Sequence, residues 1–398
     1  MKVAISIPSF YPAIGYGGPI FSSYYSCTEL AKLDGITVAV STTNADVTGT
    51  LPVRCQQWLP MMGFAVKYYP LASGRRISWA FAAGIKSDFT HADVVHIQAL
   101  FNSETVFALW QARRLGKPVC LSPRGALGEW CLAHGQRFGA RWLKWGWLQV
   151  LIKPLMQNQC WHATSLQERA EILRQFPHAT VVIVPNGIEL SEFASPPMLS
   201  MTAYLQRFAP QWPLFTPARD EPTPKLVVSM GRIQQKKGFD ILLQAVALLQ
   251  QQGWAIRLLI AGQDEGALTA LRQLCQQLQL HDNVAFVGAL AGADKSAFLA
   301  NADLFVLPSH NENFGNVYLE SLAAGTPIVA SRNTPWQEVE AAGCGLWVDN
   351  SVAATAEAMA TLLAQPLAPL RAQAKRYAAR YQWSAIARNL NQMYQSRL

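Results

Sequence analysis

Short β-type runs alternate with helical patterns along this chain of 398 residues, and one proline-rich stretch divides them into two series. The first series falls at residues 2–7, 36–41, 66–69, 93–97, 119–121, 160–163 and 181–184. The second falls at 225–229, 257–261, 284–287, 304–307 and 327–330. Each run is rich in Val, Ile and Leu, which suits strands covered on both faces of a parallel sheet. Amphipathic stretches such as 20–33, 239–252 and 268–278 lie between them. This alternation predicts an α/β chain with helices on both faces of parallel sheets. Residues 194–224 hold Pro196, Pro197, Pro210, Pro213, Pro217, Pro222 and Pro224, the composition of a connection. The expectation is two Rossmann-like, doubly wound domains facing across a cleft. The N-terminal one covers residues 1–193, a linker region covers 194–224, and the C-terminal one covers 225–381. Ligands bind such domains at the carboxyl ends of the strands.

Hydrophobic residues make up 51% of the chain and charged residues 15%, which excludes a disordered protein and supplies two full cores. No apolar run reaches the ~18–20 residues of a membrane-spanning helix. The seven cysteines, Cys27, Cys55, Cys120, Cys131, Cys160, Cys275 and Cys344, are scattered and form no C-x2-C pair. That argues against a disulfide framework and against a zinc site, and fits a reducing compartment. The apolar stretch at the N-terminus is short and interrupted by Pro8 and Pro12, so it reads as a strand, not as a signal peptide. A cytoplasmic protein is expected. Residues 1–185 hold 17 Lys and Arg against 9 Asp and Glu, whereas residues 186–398 hold 16 of each. The basic half favours an anionic partner: acidic lipid, a phosphate-bearing substrate or nucleic acid. No recognisable nucleic-acid module accompanies the charge, so no nucleic-acid partner is expected.

The densest cluster of chemistry lies in the second half. Gly231-Arg232 follows a strand, and Lys236-Lys237-Gly238 precedes a helix. Two cations beside a helix N-terminus suit a pyrophosphate, while a solvated basic loop is the plain alternative. Further on the chain reads Ser309-His310-Asn311-Glu312-Asn313-Phe314-Gly315-Asn316, then Glu320. A strand precedes this loop and a helix opens near Gly315, so the amides of residues 313–316 would face an anion. Glu312 and Glu320 are separated by roughly 12 Å at the helical rise, too far to act together on one bond. They suit two ends of a long ligand. The alternatives are a surface helix residue for Glu320 and a helix N-terminal charge for Glu312. In the first half, Gly15-Tyr16-Gly17-Gly18-Pro19 opens a helix after the first strand, either as a phosphate-approaching loop or as an ordinary turn. It does not complete the dinucleotide fingerprint G-x-G-x-x-G.

Glu-x7-Glu with Phe-Gly after the first Glu, together with the Gly-Arg and Lys-Gly loop, resembles retaining glycosyltransferase family 4, of the GT-B fold. Pro185-Asn186-Gly187-Ile188, Phe286-Val287-Gly288, residues 303–309 and Tyr381-Gln382-Trp383 with its following helix fit the same pattern, so the likeness runs nearly end to end. The resemblance implies that residues 382–398 cross back to the N-terminal domain. It implies a donor site in which Glu320 holds ribose hydroxyls and Glu312 contacts the sugar beside Asn313, Phe314 and Gly315. Arg232 and Lys237, next to Gly231, would neutralise the leaving diphosphate. Gly288 would lie near the base, and Gly17, Gly18 and Asn186 are further donor-side positions. Arg232, Lys237 and Glu312 are the catalytic candidates. No cofactor is implied beyond the nucleotide-sugar substrate. No metal is expected, and no Asp-x-Asp motif is present to hold one.

Two positions depart from the family pattern. Ser122-Pro123-Arg124-Gly125 carries arginine where a histidine is commoner, resembling a subset of surface-polysaccharide enzymes, and Gln98 stands where His96-x-His would be commoner. An arginine stays protonated and is a poor base. Arg124 and His96 are the acceptor-side candidates, with a packed structural histidine the alternative for His96. Ser165 of His162-Ala163-Thr164-Ser165 is expected to cap a helix. Residues 137–153 interleave Arg137, Arg141, Lys144 and Lys153 with Trp142, Trp145 and Trp147. They read as a segment on an anionic membrane surface or as a helix burying Trp145, Leu148 and Ile152.

These readings converge on a retaining, metal-independent transferase. It would move a sugar from a nucleotide-diphosphate donor to a glycan or lipid-linked acceptor in surface polysaccharide or lipopolysaccharide assembly, peripheral on the inner face of the membrane. An epimerase-like enzyme acting on donor alone and a noncatalytic donor-binding subunit are the alternatives.

Overall fold

The computed structural model describes residues 1–72, 77–133, 140–212 and 223–398. The chain divides into two compact units, Met1–Gly187 with Trp383–Leu398, and Ile188–Gln382.

The first unit carries strands β1 (Lys2–Ser9) and β2 (Thr37–Thr43), then a small hairpin of β3 (Ala45–Asp46) and β4 (Gly49–Thr50). β5 (Trp58–Met61), β6 (Phe64–Tyr69), β7 (Val94–Gln98), β8 (Val119–Ser122), β9 (Cys160–Ala163) and β10 (Thr180–Ile183) follow. Eight of these form one sheet in the order β10-β9-β8-β7-β1-β2-β6-β5. Every pairing is parallel except that of β5 with β6. β7 is buried throughout and β1 from Val3 to Ile7, as suits their apolar runs. The strand order reverses between β1 and β7, so the loops after these two strands splay apart at their carboxyl ends.

The helix Trp383–Gln395 belongs to this unit, as expected from the resemblance. Its buried positions, Trp383, Ile386, Ala387, Leu390 and Tyr394, recur at helical spacing and make one apolar stripe. That stripe packs against the helix Gly18–Ala31, where Tyr25 stacks on Trp383 at 6.2 Å.

The second unit holds β11 (Lys225–Met230), β12 (Ile256–Ala261), β13 (Val284–Gly288), β14 (Leu304–Leu307), β15 (Ile328–Ser331) and β16 (Gly345–Val348). They form a fully parallel six-stranded sheet in the order β13-β12-β11-β14-β15-β16, reversing between β11 and β14. Both units are thus doubly wound, Rossmann-like domains. Among the described residues no helix is long and apolar enough to cross a membrane.

The division between units differs from the expected linker. It falls at Gly187 and Ile188, while residues 188–212 pack into the second unit. Ser200 caps the helix Met201–Phe208, which buries Tyr204, Leu205 and Phe208. The Tyr204 hydroxyl donates to the Phe298 carbonyl at 2.9 Å, and the Leu199 amide donates to Asn301 Oδ1 at 2.8 Å. Proline limits where helices begin and end but does not prevent burial, and the aromatic residues between these prolines decide the outcome. Residues 213–222, including Pro213, Pro217 and Pro222, lie outside the described residues.

Candidate active site

In the second unit the site grows from the two loops beside the strand reversal. Gly231 and Arg232 leave β11, a single turn Gln235–Lys237 follows, and Gly238 starts the helix Phe239–Gln251. Gly238 is left-handed (φ 66), and a Cβ there would strike the carbonyl of Pro308, the first residue after β14. Glycine therefore lets the two loops touch. His310 donates its amide to the Lys236 carbonyl at 2.9 Å across the same gap. The result brings Lys237 and Glu312 together as an ion pair, each side chain only 12% exposed. Ser309 Oγ donates to Glu312 Oε1 at 3.1 Å. Burial pushes the Glu312 carboxyl up, but the Lys237 charge and hydrogen bond, with Lys236 and Ser309, outweigh burial and hold it below its ordinary value. Lys237 also lies along Gly231, its Cε 3.3 Å from where a Cβ would stand.

Arg232 reaches outward to Glu265, Nη1 to Oε1 at 3.1 Å, with its side chain half exposed. Glu320, on the helix Asn316–Ala324, pairs with Lys295 at 3.0 Å. Lys295 also meets Glu192 at 3.6 Å. Burial pulls the Lys295 ammonium down, yet the two carboxylates together leave its pKa raised. Gly315 is the N-cap of the Glu320 helix and Gly288 ends β13, exposed.

The Phe314 side chain faces the core. Its ring is 5% exposed and packs on Trp336 at 5.2 Å, and its carbonyl accepts from Trp336 Nε1 at 2.7 Å. An apolar ring beside a large aromatic core is drawn inward, so Phe314 anchors the loop.

Four residues at this site carry no role in the sequence reading: Gly262, Glu265, Lys295 and Ser309. Gly262 (φ 156) follows β12; a Cβ there would strike the Gly231 carbonyl, and its amide donates to the Gly288 carbonyl at 2.7 Å. A glycine directly after an apolar strand was its available signal. Lys295 had none, since its partner lies 25 positions away.

In the first unit, Gly17 and Gly18 open the helix Gly18–Ala31 after β1. Ser23 on that helix donates to Gln98 Oε1 at 2.6 Å, at the end of β7. Arg124, left-handed at φ 55, forks between two amide oxygens: Gln98 Oε1 at 2.8 Å and Asn186 Oδ1 at 2.9 Å. Its Nε is shut from solvent without a partner. Burial lowers the Arg124 pKa, and the Glu168 carboxylate opposes that. Glu168 lies beneath the loop, accepting from the Gly125 amide at 2.7 Å, the Thr164 amide at 2.7 Å and the Thr164 hydroxyl at 2.8 Å. Ser165 caps the helix Leu166–Gln175, as expected.

His96 is buried in this fold. It is 2% exposed, with Nδ1 at 2.8 Å from the Tyr394 hydroxyl and Nε2 at 2.8 Å from Ser122 Oγ. Ser122 also meets His162 Nδ1 at 2.6 Å, and His162 Nε2 bonds the Val184 carbonyl at 2.8 Å. Burial, then the neighbouring His162 and Arg124 charges, hold His96 well below its ordinary pKa; burial pulls His162 down to about 3. The returning C-terminal helix covers this part of β7 through Tyr394.

Of the basic aromatic segment, residues 137–139 and the Arg141 side chain lie outside the described residues. Leu148 and Ile152 are buried, whereas Trp142, Leu143 and Val150 are 77%, 77% and 69% exposed. Trp145, expected in the core on one reading, is 56% exposed. Among the described residues no group of three His, Cys, Asp or Glu could hold a metal ion.

Comparison with known proteins follows the same division. Residues 23–192 match the family "Glycosyltransferase Family 4", and residues 213–381 match "Glycosyl transferases group 1". The chain is 33% identical over 254 residues to the D-inositol 3-phosphate glycosyltransferase of Kineococcus radiotolerans, covering 58% of this chain and 56% of that protein. It is 23% identical to the alpha-monoglucosyldiacylglycerol synthase of Streptococcus pneumoniae, covering 84% of this chain and 71% of that one. It spans about half the length of several curated relatives that it matches. The structure of Anabaena HepE in complex with UDP and glucose superposes over all of both chains with a TM-score of 0.72, at 16% identity. With its two halves matched in order and both sheets doubly wound, the chain belongs to the GT-B glycosyltransferases of group 1 and family 4.

Proposed function

We propose that this protein transfers a sugar from a nucleoside-diphosphate sugar to a hydroxyl group of a glycan or lipid-linked glycan. The observation that carries the reading is the Lys237–Glu312 pair, set with Arg232 where the strand order of the second sheet reverses. The ammonium and the guanidinium would take up the charge that develops on the departing diphosphate, the step in which fixed charges contribute most. Glu312 would hold Lys237 in place and accept a hydroxyl of the sugar. The amides of residues 313–315 would contact the same sugar, and Glu320 would accept the ribose hydroxyls. Positioning and leaving-group stabilisation then suffice without a metal, with retention of anomeric configuration.

A lipid-linked acceptor in surface polysaccharide or lipopolysaccharide assembly is supported by the Pro123-Arg124-Gly125 loop and by the exposed Trp142, Leu143 and Trp145. The pneumococcal relative named as a glycolipid synthase agrees with it. Peripheral attachment to the inner face of an anionic membrane is part of the same proposal.

A panel of nucleotides and nucleotide sugars, scored by thermal stabilisation with and without chelator, tests the donor site. Selective stabilisation by one nucleoside diphosphate and its sugar conjugate, indifferent to chelator, is expected. No stabilisation of folded protein by any of them would overturn the reading. Turnover of donor to a new sugar nucleotide without acceptor would favour an epimerase.

A further inference from the structure

A second basic feature lies in the first unit, at the other ends of the strands from Gln98 and Arg124. The helix Ser103–Arg114 ends beside Lys117 and Pro118, which lead into β8, and Gln157–Gln159 lead into β9. Because β8 and β9 run parallel, these approaches share one edge of the sheet. With Arg397, beyond the helix Trp383–Gln395, they line a pocket of about 460 Å³.

Its chemistry is one-sided. Arg113, Lys117 and Arg397 are three of its eight lining residues, and none of the eight is acidic. Lys67, Arg232, Lys237 and Lys295 each lean on a carboxylate, but no ion pair is formed by these three among the described residues. The two arginines are held by neutral groups: Arg113 Nη1 donates to the Pro154 carbonyl at 2.6 Å, and Arg397 Nη2 to the Asn158 carbonyl at 3.4 Å. Arg397 Nε is shut from solvent with no partner. Gln159 accepts the Val119 amide through Oε1 at 2.7 Å, which leaves its side-chain NH2 as a further donor. Three like charges around one concavity repel each other until an anion enters, and two guanidinium groups match the oxygens of a phosphate.

We propose that this pocket binds a phosphate group, separately from the diphosphate-binding loops of the second unit. The phosphate belongs either to a soluble ester or to an anionic phospholipid headgroup, the same chemistry from two sources.

The test uses the full chain and its Lys117→Gln/Arg397→Gln variant, with glycerol 3-phosphate by calorimetry and with phosphatidylcholine vesicles, with or without phosphatidylglycerol, by co-sedimentation. A nucleoside-diphosphate titration serves as the control for the other site and should agree within twofold between the two proteins. At least fivefold weaker binding of glycerol 3-phosphate by the variant would establish the site with a soluble ester. A loss confined to phosphatidylglycerol vesicles would establish it with a headgroup. Equal behaviour of both proteins in every arm, or no binding by the wild-type chain, would overturn the proposal. If the double variant melts early, Lys117→Gln alone carries the same comparison.

Discussion

Lys237 and Arg232, at the carboxyl ends of the second sheet, each lean on a carboxylate, Glu312 and Glu265. Arg124, at the corresponding edge of the first sheet, forks between the amide oxygens of Gln98 and Asn186 instead. A cation paired with a carboxylate is largely neutralised at rest and can exchange or share that partner when a diphosphate arrives. A guanidinium held by neutral oxygens keeps its charge and is fixed in direction before any ligand binds. The second arrangement favours orientation, the first favours a charge that responds to the ligand.

The sharpest way to break this contrast is Lys237→Ala. It removes the ammonium and leaves Glu312 buried without its counter-charge. Turnover should fall about 10²–10³-fold. A kcat within threefold of wild type in a folded variant would show that Lys237 does not serve the leaving group.

Acid should separate the two units next. His96 and His162 are buried neutral, with folded pKa values below the ordinary 6.5. Below that pH the unfolded chain takes up protons that the folded one refuses. Stability contributed by these rings is therefore complete above pH 6.5 and is lost as pH falls, at about 1.4 kcal/mol per pH unit for each ring. Glu312 behaves differently: its lowered carboxyl contributes fully above the ordinary 4.5 and loses that contribution only as pH falls through its folded value. Denaturant melts between pH 7 and 5 should weaken the first unit before the second. Equal stability at both pH values would contradict the buried-neutral histidines.

Arg124→Lys keeps the charge but cannot fork between Gln98 and Asn186. A drop of about tenfold in kcat/KM is expected with little change in melting temperature. Wild-type activity would mean that direction, as opposed to charge, is unimportant there. The smallest effect belongs to Lys295→Ala, which frees Glu320 and should change donor affinity by about twofold to fivefold, measured by calorimetry.

Much of this arrangement was legible in the sequence because buried parallel strands leave unbroken apolar runs, and all twelve expected runs became strands. Four strands escaped detection: β3 and β4 are two residues each, β5 is an antiparallel edge strand containing Pro60, and β16 begins with glycine and is only half buried. Lys237 and Glu312 could be named because each stands beside a glycine-marked loop. That they touch was not readable, since 75 residues separate them. For His96, where a packed ring was the alternative, and for Phe314, the sequence left open which way the side chain faces. Motif position places a residue on a loop or strand end, while its neighbours in space decide whether it faces ligand or core, and those neighbours, Tyr394 and Trp336, come from distant sequence.

The return of the Trp383–Gln395 helix to the first unit has a consequence for synthesis on the ribosome. The second unit is continuous in sequence, so it can complete its fold as soon as residue 382 has emerged. The first unit, although begun earlier, must wait: until Tyr394 arrives, His96 Nδ1 lacks its buried partner and the apolar groove beside the Gly18–Ala31 helix stays open. The half translated first is therefore the half finished last, and a nascent chain stalled before Trp383 would offer chaperones that uncovered groove.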